Sequence, residues 1–195
     1  MSEIVFITGN PHKVLEVTSI LGNSVRIRPV ALDLREIQGT SEEIVRDKCR
    51  TAAKMIGGPV LVEDSALEMH ALNRLPGPYV KAFVGAVGNV GLCRLLEPYE
   101  NKAAEAVCTL GYSAGPGSEP VLFQGRLLSP QGQIVSARGV SSFGWEPIFE
   151  FDGETLAEMD VEKKNRLSHW FRALSKFREW VQAGGSGSGS GLGSS

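Results

Sequence analysis

EIVFITGNPHKVLEVTSILGN, residues 3–23, opens with an apolar, β-branched run and closes with a helical repeat, and the turn between them decides the architecture. Residues 3–8 read as a buried strand ended by Gly9 and Asn10. Val14, Val17, Ile20 and Leu21 then recur at the spacing of one helix face, with Gly22-Asn23 as a stop signal. Pro11 suits the first helical position, where its missing N–H costs nothing. A plain strand-to-helix connection accounts for such a turn. A phosphate cradle accounts for it too, because open helix N–H groups and the positive dipole end receive anions, and Lys13 adds a point charge one turn in. It is not a Walker loop, since the GxxxxGK[ST] spacing is absent.

Downstream, the same alternation of strand and helix continues. Residues 25–32 read as a second strand, and SEEIVRDKCRTAAKMIGG from Ser41 as a helix, with Ser41 as its cap and Gly57-Gly58 as its end. Its apolar positions are Ile44, Val45, Cys49, Ala52 and Ile56. PVLVEDS reads as a third strand running into two carboxylates, and LPGPYVKAFVGAVGNVGLCRLL as a turn followed by a helix broken near Gly88. AEAVCTLGYS and VLFQGRLLS form a hairpin pattern, a short strand fits residues 133–135, and GVSSFGWEPIFEF looks irregular. Leu167, Trp170, Phe171, Leu174, Phe177 and Val181 make one apolar stripe of a final helix. The expected fold class is α/β, a mixed sheet with helices outside.

At 195 residues the chain suffices for one domain, or one domain of two lobes. A net charge of -2 and a pI near 6.0 argue against a general nucleic-acid polymer binder, whose footprint is a basic excess. Three cysteines, Cys49, Cys93 and Cys108, offer neither a CxxC pair nor an even count, which fits a reducing compartment. The start lacks a basic segment and a completed apolar segment, and no apolar run approaches membrane-spanning length, so a cytoplasmic location is expected. The domain is expected over residues 1–183, and GGSGSGSGLGSS, residues 184–195, reads as a flexible tail left by recombinant expression.

Several residues offer chemistry. Glu63-Asp64-Ser65 follows a buried strand, where α/β folds place ligand groups, although a solvated turn capping a helix has the same composition. Glu36, on the loop of residues 33–39, is a surface acid unless it converges with Asp64, in which case the two would suit Mg²⁺. Lys13, Lys48, Lys81 and Lys164 are dispersed cations, of which Lys81 follows the stiff PGPYV turn. His169 lies off the apolar stripe, either as a surface histidine or as a site donor. Phe143, Gly144, Trp145 and Glu146 join rings and an acid, a composition that serves core packing or the stacking of a nucleobase.

Taken together, TGNPHKVLEV, EIQG, VEDSALEMHAL, LPGPYVKAF, SFGWEPIF, AEM and KNRLSHWFRAL resemble the inosine triphosphate pyrophosphatase family, the Ham1-like purine nucleoside triphosphate pyrophosphatases. The resemblance reaches to about Val181, and LPGPYVKAF is similar to the eukaryotic branch. It implies a homodimeric, two-lobed α/β protein with a nucleotide in its cleft. The implied reaction is Mg²⁺-dependent hydrolysis of ITP, dITP and XTP to the monophosphate and pyrophosphate. By the same resemblance Thr8, Gly9, Asn10, Pro11, His12 and Lys13 form the phosphate turn, followed by Glu16. Glu36 and Asp64 hold the metal, and Asp64 is the general base. Lys48, Ser65 and Lys81 contact substrate, Phe143, Gly144, Trp145 and Glu146 line the base pocket, and Lys164, Ser168, His169 and Trp170 complete the substrate site.

The chain departs from the family pattern at Pro11-His12, at Glu146 in place of the usual Asp, and at Trp170 in place of the usual Arg. An arginine both stacks and donates several hydrogen bonds, whereas tryptophan stacks and donates one. The alternatives are a pyrophosphatase of altered base preference, such as one acting on modified pyrimidines, and a nucleotide-binding protein without catalysis.

Overall fold

A computed structural model describes residues 3–140 and 144–185. Two compact units divide the chain, and β3, β5, β6 and α5 each pass from one into the other. The first unit takes the described parts of Met1–Glu63, Thr109–Phe123 and Leu174–Ser195, and the second takes Asp64–Cys108 and Gln124–Ala173.

In the first unit β1 (Ile4–Ile7) pairs in parallel with β2 (Ile27–Val30) and with the start of β3 (Val60–Met69). Parallel strands need a crossover on each return, and α1 (Pro11–Leu21) and α2 (Ser41–Ile56) supply them. Pro11 opens α1 as expected, behind an Asn10 cap. The α2 cap differs from expectation. Thr40, not Ser41, accepts from the Glu43 N–H at 3.2 Å while Glu43 Oε2 accepts from the Thr40 N–H at 2.8 Å, a reciprocal capping box. Ser41 is already helical and buried. Val45, Cys49, Ala52 and Ala53 of α2 pack on Val5, Val60 and Val62. The end of α5 (His169–Gln182) brings Phe177 and Trp180 against Tyr112 and Phe123, and the Gly184 and Gly185 N–H groups close that helix on Val181 and Trp180. Residues 186–195 lie outside the described residues.

Glu63, the last residue of the first unit on this strand, and Asp64-Ser65, which open the second, prove to be strand interior rather than a turn beyond a strand, because β3 runs on to Met69. Its end pairs antiparallel with β4 (Pro76–Gly77). The full sheet order is β2-β1-β3-β5-β6, with β5 at Ala104–Ser113 and β6 at Val121–Leu127, and the antiparallel β4 makes it mixed. On these strands Arg126 bridges Glu68 Oε2 at 2.9 Å and Glu105 Oε2 at 3.0 Å, and Arg74 adds a second cation on Glu68 Oε2 at 3.1 Å. The α3 helix (Val80–Leu95) breaks at Gly88, whose φ of 67° is open to a residue without Cβ.

The segment expected to be irregular holds a 3-10 turn at Glu146–Ile148 and a strand, β8 (Phe149–Phe151). With β7 (Gly132–Ile134) and β9 (Glu154–Thr155) it forms a second, antiparallel sheet whose short strands carry too few residues for a readable alternation. The final helix is also two. An α4 helix (Val161–Leu167) stops at Ser168, whose ψ of 157° is extended, before α5 begins. Leu167 therefore belongs to α4, while Trp170, Leu174 and Phe177 keep the buried stripe of α5.

Candidate functional site

Within the first unit the turn after β1 is held by its own side chains. The Asn10 N–H donates to Thr8 Oγ1 at 3.1 Å, and the His12 N–H donates to Asn10 Oδ1 at 3.0 Å. One expected open donor of the helix start, that of His12, is thus already used by the cap. Gly9, Pro11 and His12 are exposed. Lys13 donates to Glu63 Oε1 on β3. Lys48, one face of α2, donates to the Glu63 carbonyl oxygen at 3.1 Å and to Glu36 Oε1 at 3.3 Å. Lys13–Glu63 and Lys48–Glu36 are two ion pairs, joined where Lys48 also reaches the main-chain carbonyl of Glu63.

Glu63 is the member that sequence reading passed over. Its signal was its place beside Asp64 in VEDS, and the deciding fact, that Lys13 reaches it, is tertiary. Side chains alternate along a strand, so Glu63 and Ser65 share one face of β3 and Asp64 takes the other. Asp64 and Ser65 are half-buried in the second unit.

The rest of the second unit's candidates gather around the start of α5. Gly125 of β6 makes room there, because a Cβ at that position would lie 2.1 Å from the His169 carbonyl oxygen. Ser168 is buried and its Oγ accepts from the Phe171 N–H at 3.1 Å, which caps α5. His169 and Trp170 are both buried, so the choice left open for His169 falls against a surface histidine. The His169 ring lies 5.5 Å from that of Trp145, and Trp145 meets Phe149 edge-on at 5.8 Å. Beside Trp145, Glu146 accepts from Lys164 of α4 at 3.3 Å, with both side chains largely covered. Gly144 is exposed, Lys81 is exposed in the first turn of α3, and Phe143 lies outside the described residues.

The two sets differ in chemistry. The first offers ammonium groups and carboxylate oxygens, suited to phosphates and a hard cation. Among the described residues no group of three or more His, Cys, Asp or Glu is arranged to hold a metal ion. Mg²⁺ takes one or two protein carboxylates and completes its shell with waters and substrate phosphate oxygens. The ammonium groups resting on Glu36 and Glu63 already mark both as cation-attracting positions. The second set offers buried rings with an acid and a base beside them, suited to a flat heterocycle. Burial of Cys49 and Cys93 pushes both thiols up, so neither is a ready nucleophile, and all three cysteines are free.

A model of the Ham1 family matches residues 4–180. An inosine triphosphate pyrophosphatase of Aspergillus oryzae is 65% identical over 179 residues, spanning 91% of this chain and 92% of that protein. A solved HAM1 protein from Coxiella burnetii shares the fold with a TM-score of 0.84 at 28% identity, over 94% of this chain and 100% of that one. A nucleoside-triphosphatase and dITP/XTP pyrophosphatase from Mycobacterium abscessus matches with a TM-score of 0.72 at 27% identity, over 90% and 98% of the two chains. The family match spans both units, from β1 through most of α5, and by it this chain belongs to the Ham1 family.

Proposed function

We propose that the protein hydrolyses inosine triphosphate, and with it dITP and XTP, to the nucleoside monophosphate and pyrophosphate. The observation that carries this reading is the pair of ion pairs Lys13–Glu63 and Lys48–Glu36, joined through the Glu63 carbonyl, with Glu63 directly before Asp64 in β3. The names of the relatives from Aspergillus oryzae and Mycobacterium abscessus support the same substrate class.

In this reading Lys13, Lys48 and the turn from Thr8 to His12 receive the triphosphate, with Ser65 and Lys81 as further contacts. Glu36 and Asp64 would hold Mg²⁺. When bound, that ion offsets phosphate charge and makes a water more acidic. Asp64 takes the proton as water oxygen bonds to the α-phosphorus, and the bond from that phosphorus to the bridging oxygen breaks to release pyrophosphate. Trp145, Glu146, Lys164, Ser168, His169 and Trp170 enclose the base. The family resemblance further supports a homodimer acting in the cytoplasm, and among the described residues no helix is long and apolar enough to cross a membrane.

Incubation with ITP, GTP and dATP in Mg²⁺, with the products separated, tests the reading. The expected products from ITP are IMP and pyrophosphate, with oxygen from labelled water found in IMP. Release of orthophosphate would overturn the cleavage site.

A further inference from the structure

We propose that Asn89 is a positioning residue for the loop carrying Trp145 and Glu146, and through it for discrimination between purine bases. The proposal rests on the nucleotide reading above. Asn89 directly follows the Gly88 break in α3, and its Nδ2 donates to the Gly144 carbonyl oxygen at 2.9 Å. Gly144 has a φ of 48°, and its peptide leads straight into Trp145. Fixing that carbonyl fixes the plane of the peptide from which Trp145 departs, and so the direction in which its ring enters the cluster with His169 and Phe149. One turn further along α3, the Cys93 thiol donates to the Val135 carbonyl oxygen at 3.4 Å. The helix thus donates to two carbonyls, one just after β7 and one just before Trp145.

The amide orientation follows from chemistry, because a carbonyl only accepts and must therefore face Nδ2. That leaves Asn89 Oδ1 buried, with no hydrogen-bond partner among the described residues. An unpaired buried acceptor is unfavourable, and an apolar side chain of the same shape would avoid it. Asparagine is a poor choice for packing at this position, and what it supplies is the donor.

Asn89→Leu keeps the shape and removes both donor and orphaned acceptor, whereas Asn89→Asp keeps the acceptors and loses the donor. The ratio of kcat/KM for ITP to that for GTP is expected to fall about fivefold in both, chiefly through KM. Asn89→Leu is expected to retain the wild-type Tm, with faster amide hydrogen exchange at residues 144–148 and unchanged exchange in α5. A wild-type ratio in Asn89→Leu overturns the proposal whether or not exchange changes, since the anchor would then be structural only. A wild-type protein that fails to turn over ITP would strike the nucleotide reading instead, and unaltered exchange at residues 144–148 would by itself remove the anchor.

Discussion

Lys13 donates to Glu63 Oε1, joining the turn behind β1 to the middle of β3 across 50 positions of sequence. The Glu63 side chain is 10% exposed and that of Lys13 23%, so neither charge can be left bare without a cost.

Lys13→Ala removes a phosphate contact and the ammonium that Glu63 Oε1 holds at once. A charged hydrogen bond contributes about 1.5–3 kcal/mol, so KM for ITP is expected to rise at least about tenfold, and stability to fall by about 1–3 kcal/mol. The double variant Lys13→Ala with Glu63→Gln should recover most of the stability in a urea titration without recovering KM. Recovery of both would mean that Lys13 serves only to neutralise Glu63.

Asp64→Asn keeps the size of the side chain but cannot take a proton. On the proposed reading kcat falls by about 10²–10⁴ with the circular dichroism spectrum unchanged, since general-base catalysis is of that size. Near-wild-type turnover would remove Asp64 from that role.

The cap of α2 offers a test independent of activity. Thr40→Ala breaks both arms of the capping box and should cost about 1 kcal/mol, whereas Ser41→Ala leaves the box intact and should cost less. Chemical denaturation of the two variants compares them directly, and a larger loss at Ser41 would contradict the assignment.

Burial pushes the Cys49 thiol from its ordinary value of 9.0 up to about 12. The unfolded chain releases this proton near 9.0 while the native chain keeps it. The contribution to stability is therefore complete below about pH 9 and is lost as pH rises toward 12. Cys49→Ala should be less stable than wild type near neutrality, because it leaves a cavity, but the gap in Tm should narrow above about pH 9. A gap that stays constant to about pH 11 would count against the shift.

What local pattern governs was legible in the chain alone. The β-branched run before Gly9, the proline at the first turn of α1, the apolar face of α2 and the break at Gly88 all follow from propensity and spacing, and each stands in the structure. The candidate phosphate residues were proposed from the motifs taken together. Other features answer to contacts between distant segments. Glu63-Asp64-Ser65 reads as a polar turn because strand interiors seldom carry consecutive polar residues, yet pairing in the sheet carries β3 through them to Met69. The end of the apparent last helix at Ser168 is invisible in an apolar stripe that runs across it, and Gly125 lets α5 approach β6 at its first turn. The same holds for Glu63 between two lysines and for Asn89 beneath Gly144. By itself the sequence determined the elements and the residue types available for chemistry, because those depend on neighbours along the chain. Which charges meet, and which side chain holds the loop that carries Trp145, only the tertiary structure decided, because those contacts join residues remote in sequence.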